Sequence, residues 1–565
     1  MIGFYADDYI QMAILERTLP SVSRIPLLDL YRFIPADRAI LAEMTERGPA
    51  PWFHDPALMI HFFRPLSSAL LVGEHALWGR WATGYHLTTV LLYAALTFAA
   101  GSLYRTLCRD REGGGPVTAS LAALCFAVAS CHAQPAGWTA ARHLLVAALP
   151  AVLALIAHVR HVRDGSRAGA ILAPLALVVS LLASEAAIGG ILYWLAFDAL
   201  GPAPAHRAGL WGRLRASLPA LAVGAVYSLG YKAFGYGAIG TDAYLDPVAN
   251  PVGFAIGALT RVPALVAEAF TTFPSDTYAV LPAAPFVAAG LLATLVMAGL
   301  TRLVLPAIPA EERAALRWLL PGAFASLVLA SGGFPGGRLL FFPSLGVAFF
   351  VAVLLHRSLF IPSGGRALIA GRVFLVAVHL VLGPLAIVGG AFATAGLARR
   401  TFHAYETAEL DGPLPHHVTL IACSDPFAAF YPALIGAFLR PEAAGSWLVL
   451  STAKHDHRVT RTAPHRLRID VLGGALMEGA FDKNFRSLRT PFHAGDRVPL
   501  LGVAVTVLTL EGGLPKAIEA ELDVPADDPS LLLLVWQGGR LARFPPPPVG
   551  SSVDLRWEPG PAQLF

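Results

Sequence analysis

Two adjacent carboxylates, Asp7 and Asp8, stand near the start of the chain in Phe4-Tyr5-Ala6-Asp7-Asp8-Tyr9. Neighbouring like charges push their pKa values apart, so such a pair can divide the roles of general base and supporting ligand, or hold a divalent metal ion. The plainer reading is an acidic pair in a solvated loop. Arg338 stands at the end of an apolar run, where a planar guanidinium can offer two parallel donors to an anion or serve as an ordinary interfacial anchor. Glu185 interrupts an apolar stretch over 169–200, a costly position unless it faces a cavity or partner, or marks a short turn between two helices. His132, Trp138, Arg142 and His143 sit together between two other apolar runs. There a Trp also suits the aromatic belt of a membrane interface, and a His is as well explained by a surface hydrogen bond as by a ligand role.

The elements that must hold these residues are apolar helices. Of the 565 residues 55% are hydrophobic and only 14% charged, with a mean hydropathy of +0.59, against roughly 25% charged in an ordinary soluble domain. Such a chain cannot cover itself with polar surface, and a compact core stops growing at roughly 250–300 residues. The expected fold is an all-α polytopic membrane bundle of about ten transmembrane helices with a C-terminal extracytoplasmic α/β or β-rich domain. A span needs about 20 apolar residues, and candidates lie near 81–104, 117–131, 143–159, 169–183, 186–200, 216–235, 278–302, 318–333, 339–356 and 373–398. The run 169–200 could also be one kinked helix. His61 to Trp78 carries Arg64, Glu74 and His75 and reads as an interfacial helix rather than a span.

Basic residues give the orientation. Arg105, Arg109 and Arg111, then Arg160, Arg163 and Arg167, Arg207, Arg213 and Arg215, Arg302, Arg313 and Arg317, and Arg357, Arg366 and Arg372 fall in alternate loops, which are therefore cytoplasmic. Residues 1–80, the loop 236–277 and everything after about 399 lie on the other side. The domains expected are an extracytoplasmic segment 1–80 with the acidic motif, a transmembrane domain 81–398 and a soluble domain 399–565. In the last, β-like runs are expected at 417–423, 447–452, 467–472, 498–510 and 531–536, and Ser424-Asp425-Pro426 is a helix start. The tail is expected to end in the turn-rich Pro545 to Pro548. His455, His457, Arg458, Arg461, His465 and Arg466 there could meet an anionic lipid surface or form a solvated strand-turn-strand face. The net charge of +4 comes from Arg concentrated in particular loops, with few Lys and no Lys/Arg run of the kind that tracks nucleic acid, so no nucleic-acid partner is expected. Cys108, Cys125, Cys131 and Cys423 form no ligand spacing.

Ordered blocks carry a resemblance. Phe63-Arg64-Pro65-Leu66, Leu77-Trp78-Gly79 and Tyr85-His86-Leu87 follow the acidic motif, then His132-Ala133-Gln134 through Trp138 to Arg142, Ser184-Glu185-Ala186, and Arg338 to Phe342 with Pro343-Ser344-Leu345-Gly346. Together they resemble the GT-C superfamily of membrane glycosyltransferases, the protein O-mannosyltransferase-like enzymes that depend on polyprenyl-phosphate sugars. The chain departs from the pattern at Gln134, where an acid is usual, at Ala141, where Gly is usual, and at Ser184, where Lys is usual. The blocks end near His356 and leave the tail uncovered.

The resemblance implies transfer of a sugar from a polyprenyl-phosphate donor to an extracytoplasmic protein, lipid or glycan, in a bacterial inner membrane. Asp7 and Asp8 would be catalytic, Asp8 slightly favoured as the base, with a divalent metal ion, if any, on the same pair. Arg338 and Arg64 would bind the donor phosphate, and Glu185, His86, His132, Trp138 and Arg142 would support them. The alternative is a catalytically inactive scaffold or glycan-handling subunit of the same architecture. A transporter should show broken helices and paired repeats, and no such symmetry is visible. Family members carry a transmembrane helix before the acidic motif, so the natural product is expected to start upstream of Met1 and add one span.

Overall fold

The computed structural model describes residues 3–109, 113–202, 204, 209–361, 365–412, 414–423 and 425–562. Met1, Arg111, Arg207 and Ser424 lie outside them. Each of the ten predicted spans falls on a helix: Ala82–Leu107, Gly115–Ala127, His143–Asp164, Arg167–Ala183, Ile188–Leu200, Leu210–Ala233, Ala283–Val304, Ala310–Ala330, Ser344–Ser358 and Gly383–Glu406. Among the described residues six helical stretches are long and apolar enough to cross a membrane, or seven if the pair Gly115–Ala127 and Ser130–Gly137, bent by 48°, counts as one. Several of the ten are therefore shorter than a full crossing. The run 169–200 is two helices, separated by the 3-10 turn Glu185–Ala187, which Ser184 caps by accepting from Ala186 N–H at 3.2 Å. Glu185 thus sits in a turn, which removes the cost of placing it inside a helix in lipid.

Packing in this bundle relies on small residues as well as large ones, since lipid supplies no hydrophobic drive between helices. Gly346 shows why: a Cβ there would come within 2.6 Å of the Leu319 carbonyl and 3.1 Å of the Tyr193 hydroxyl. Tyr104, Tyr193, Trp194, Trp318 and Phe349 fill the centre.

The predicted loop 236–277 is corrected. It holds a short strand and the helix Pro251–Thr271, which is itself apolar enough to cross. On the approach to that helix the Leu245 N–H donates to Gly332 O at 2.7 Å, and Arg261 donates to Ser331 O and Gly333 O at 3.2 and 3.1 Å. Towards its far end, Glu268 accepts from Ser275 N–H at 2.8 Å and crowds Gly337. The helix therefore leaves and rejoins one end of the bundle. The boundary at 399 also shifts, because a π-helical turn Ala377–Leu382 joins Arg366–Val376 to a helix that continues to Glu406.

Beyond it lies an α/β domain. With β1 (Arg32–Ile34), β2 (Met59–His61) and β3 (Gly237–Ile239) forming a small sheet nearer the bundle, the domain contributes β4 (His416–Ala422), β5 (Ala444–Val449), β6 (Asp456–Ala463), β7 (Arg466–Leu472), β8 (Arg497–Leu500), β9 (Val503–Glu511), β10 (Leu514–Leu522), β11 (Leu531–Gln537), β12 (Arg540–Arg543) and β13 (Ser552–Leu555). A four-stranded sheet runs β12-β11-β4-β5, with β11, β4 and β5 parallel, and a six-stranded antiparallel sheet runs β13-β6-β7-β10-β9-β8. In β7 burial alternates, Leu467, Ile469 and Val471 facing in, as a half-buried strand requires. The expected 498–510 run is two strands, because Leu501-Gly502 turns between them. The tail does not stop at the prolines, since β13 pairs with β6.

Residues 3–80 are no free segment. Phe4, Tyr9, Met12, Trp52 and Phe53 share one hydrophobic core with Ile421, Phe438, Leu450 and Val459 of the C-terminal domain. Trp52 Nε1 donates to Leu450 O at 2.9 Å. The parallel strands β4 and β5 are bridged by the helices Pro426–Ala429 and Tyr431–Leu439, the first capped by Asp425, which accepts from Phe427 N–H at 2.8 Å. That second helix packs on the helix Asp8–Glu16.

Candidate active site

The acidic pair is split by its environment. Asp8 is buried; its Oδ1 accepts from Ala140 N–H at 2.7 Å and its Oδ2 from Tyr5 N–H at 3.0 Å. Burial pushes its carboxyl up to about 7 against those two bonds. Asp7, half-buried before the first turn of the helix, has one side-chain partner: its Oδ1 accepts from Tyr431 Oη at 3.2 Å. Burial raises it to about 6, opposed by the Tyr431 bond and the charge of Arg338. Ala6, immediately before the pair, has a φ of 49°, a left-handed conformation costly for a residue with a Cβ. The backbone is bent so that one carboxylate turns inward and the other towards Arg338.

Arg338 is held loosely. Its Nη1 donates to Gln134 Oε1 at 3.3 Å and its Nη2 to Phe334 O at 3.4 Å, and no carboxylate among the described residues forms an ion pair with it. Gln134 also donates from Nε2 to Asp276 Oδ1 at 2.9 Å, while Asp276 Oδ2 accepts from Gly337 N–H at 3.3 Å. The amide at 134 thus faces a carboxylate with its donor and a guanidinium with its acceptor. Gly336 and Gly337 have no room for side chains, since a Cβ on the first would come 2.6 Å from Asp276 Oδ1 and one on the second would collide with Glu268 Oε1.

A second charged pair lies nearby. Arg64 donates to Glu185 through Nε at 2.9 Å and Nη2 at 2.5 Å, with its guanidinium over the rings of Phe62 and Tyr31 at 4.5 and 4.8 Å. Ser184, where Lys is usual, lies 2.9 Å from His143 Nδ1. The Tyr244 phenol joins the two clusters, within reach of the charges of Arg338, Asp7, Arg64 and Glu185. Arg64 is therefore satisfied by a carboxylate, whereas Arg338 has unspent capacity for an anion.

The other predicted residues are engaged by neighbours within the protein. Arg142 is fully buried and bidentate on Glu74, with Nη1 also donating to Tyr85 O at 2.8 Å and Thr89 Oγ1 at 3.2 Å. His132 is buried between Tyr93 Oη at 2.8 Å and Ser344 Oγ at 3.0 Å. Both have partners inside the protein, and His86 lies half-buried in the helix Ala82–Leu107. Trp138 packs edge-on against Tyr5, centroids 5.5 Å apart. In the tail Arg458, Arg461 and Arg466 pair with Asp554, Asp527 and Glu521, and His457 bonds Ser451, so this patch is a strand-turn-strand face. No cluster of three or more His, Cys, Asp or Glu among the described residues could hold a metal ion. Each oxygen of Asp8 accepts one N–H and Asp7 Oδ1 one hydroxyl, so a cation on the pair would use their remaining lone pairs, with Asp7 Oδ2 the oxygen that accepts no hydrogen bond among the described residues.

Sequence reasoning missed Tyr431, Tyr244, Asp276 and Glu268. No family model matches the chain, and no curated protein does. Similar solved structures include ArnT from Cupriavidus metallidurans bound to undecaprenyl phosphate, 16% identical, covering 79% of this chain and 89% of that one at a TM-score of 0.34, and the same protein in the apo state, 16% identical over 74% and 84% at 0.34. A likeness at that score carries no argument about this chain's chemistry, which rests on its own residues.

Proposed function

We propose that this chain is an integral membrane glycosyltransferase of the GT-C kind, moving a sugar from a polyprenyl-phosphate donor to an extracytoplasmic protein, lipid or glycan. The observation that supports it is that Asp7, half-buried with its carboxyl raised to about 6, lies within reach of the charge of Arg338, a half-buried guanidinium with no ion-pair partner among the described residues. The apolar helices suit a lipid donor, and the bacterial inner membrane is the setting in which the acceptor side lies outside the cytoplasm.

In this reading the Asp7 carboxylate takes the proton of the acceptor nucleophile as that atom bonds to the anomeric carbon. The bond from that carbon to the phosphate oxygen breaks, and polyprenyl phosphate leaves with its charge met by Arg338. A carboxyl near 6 is largely ionised at neutral pH yet basic enough to accept a proton. Asp8 anchors the backbone that presents Asp7, which reverses the preference drawn from the sequence. Gln134 and Ser184 depart from the family pattern but each has a specific partner, so neither is evidence of lost catalysis.

The test incubates purified protein in lipid with radiolabelled polyprenyl-phosphate sugars and a membrane extract, and follows label leaving the lipid. Asp7→Asn should abolish transfer. If no donor releases label with the unmodified protein, the scaffold reading replaces this one.

A further inference from the structure

We propose that Tyr431, on the C-terminal domain, is a positioning residue for Asp7, so that this domain is a working part of the site rather than an appendage. The inference rests on the proposed role of Asp7 as base. Tyr431 opens the helix Tyr431–Leu439, of which Leu434, Ile435, Ala437 and Phe438 seat it in the shared core. Phe438 meets Phe4 and Tyr9 edge-on at 5.9 and 5.8 Å, fixing this helix against the acidic motif. The Tyr431 ring stacks on Phe427 at 5.1 Å, and Phe427 stacks on Tyr5 at 5.8 Å. Three rings from two ends of the chain therefore hold the phenol in one place.

Its hydroxyl is 3.2 Å from Asp7 Oδ1, and the other carboxylate oxygen makes no hydrogen bond with the described residues. A carboxylate pinned at one oxygen is rotationally fixed and presents the second for proton transfer, a geometric gain of the kind that orientation supplies. The charged and titratable groups facing Asp7 are Arg338, Asp8 and the phenols of Tyr5, Tyr244 and Tyr431. Of these, only Tyr431 bonds the carboxylate directly. A donor hydrogen bond favours the ionised form, so its loss makes Asp7 harder to ionise.

The test is the pH–rate profile of donor consumption by full-length protein in lipid. Tyr431→Phe keeps the ring stack and removes the donor. The acid limb should move up by about one pH unit, the size expected for one hydrogen bond to a charged group. Activity would fall about tenfold at pH 5.5 and recover to within a few-fold of the unmodified protein at pH 8.5. Site-specific 3-fluorotyrosine at 431, a stronger donor of the same shape, should move the limb down. A Tyr431→Phe limb that stays in place, or a loss equal at every pH, overturns the inference. Asp7→Asn in the same assay separates the two claims: an active Asp7→Asn sinks the base assignment, whereas an inactive one beside an unshifted Tyr431→Phe profile sinks only the role of Tyr431.

Discussion

Gln134→Glu restores the residue type usual in the resembled family, and the structure predicts that it harms this protein. The Gln134 amide donates to Asp276 at 2.9 Å and accepts from Arg338 at 3.3 Å. A glutamate has no donor and would set a second carboxylate about 3 Å from the first. At an effective dielectric of 20 two unit charges at that separation repel by about 5 kcal/mol. Both groups are half-buried, so solvent screening lowers this, and a net effect of about 2–3 kcal/mol is reasonable. The pair avoids the repulsion by sharing a proton or by drawing Arg338 onto itself. At pH 8, with both carboxylates ionised, Arg338 is captured and the KM for the lipid donor should rise at least tenfold, the equivalent of about 1.4 kcal/mol. At pH 5.5 the shared proton recreates the native donor, and KM should approach that of the unmodified protein. Gln134→Glu combined with Asp276→Asn removes the repulsion but leaves the introduced carboxylate against Arg338, so KM should stay raised at pH 8. The reasoning is refuted if either the single or the double variant matches the unmodified protein at pH 8.

At the phosphate position, Arg338→Ala should lower turnover severely while Arg338→Lys keeps part of it, since Lys retains charge without the bidentate fork; equal, near-native rates would leave Arg338 an anchor. Arg142→Met should cost about 3–5 kcal/mol of stability by stranding Glu74 in the interior, and adding Glu74→Leu should recover most of it, both read from thermal unfolding in detergent. A soluble, stable Arg142→Met protein with no turnover would instead place Arg142 in the chemistry. Single cysteines at Ser166 should resist impermeant thiol reagents in intact spheroplasts while ones at Ala136 or Ser551 label; labelling at 166 would invert the orientation and put Asp7 in the cytoplasm.

The helices were legible because apolar length is written locally, and all ten predicted stretches are helical. What misled was Pro251–Thr271, where polar flanks such as Asp242, Asp246 and Asp276 disguised an apolar helix as loop. Arg338 and the acidic pair could be read as candidates from residue type. Which member of the pair turns towards Arg338 could not, since that depends on the left-handed turn at Ala6 and on an N–H at residue 140. Arg142 and His132 could be read as candidates from residue type, but not their buried partners, Glu74 for the first and the Tyr93 and Ser344 hydroxyls for the second. Tyr431 carried no signal at all: a Tyr in an apolar helix start is ordinary until the fold brings it to residue 7.

The core shared by residues 3–80 and the C-terminal domain bears on how the protein comes into being. Trp52 waits for Leu450, and Asp7 waits for Tyr431, so the earliest-made segment cannot finish folding until the last third of the chain has been synthesised and delivered to the same side of the membrane. Contacts of such long sequence separation form late, and until then the acidic motif has neither its walls nor its fixed carboxylate. A ribosome-stalled or C-terminally clipped chain would therefore insert its helices normally and remain inert, its exposed apolar segment a mark for quality-control proteases.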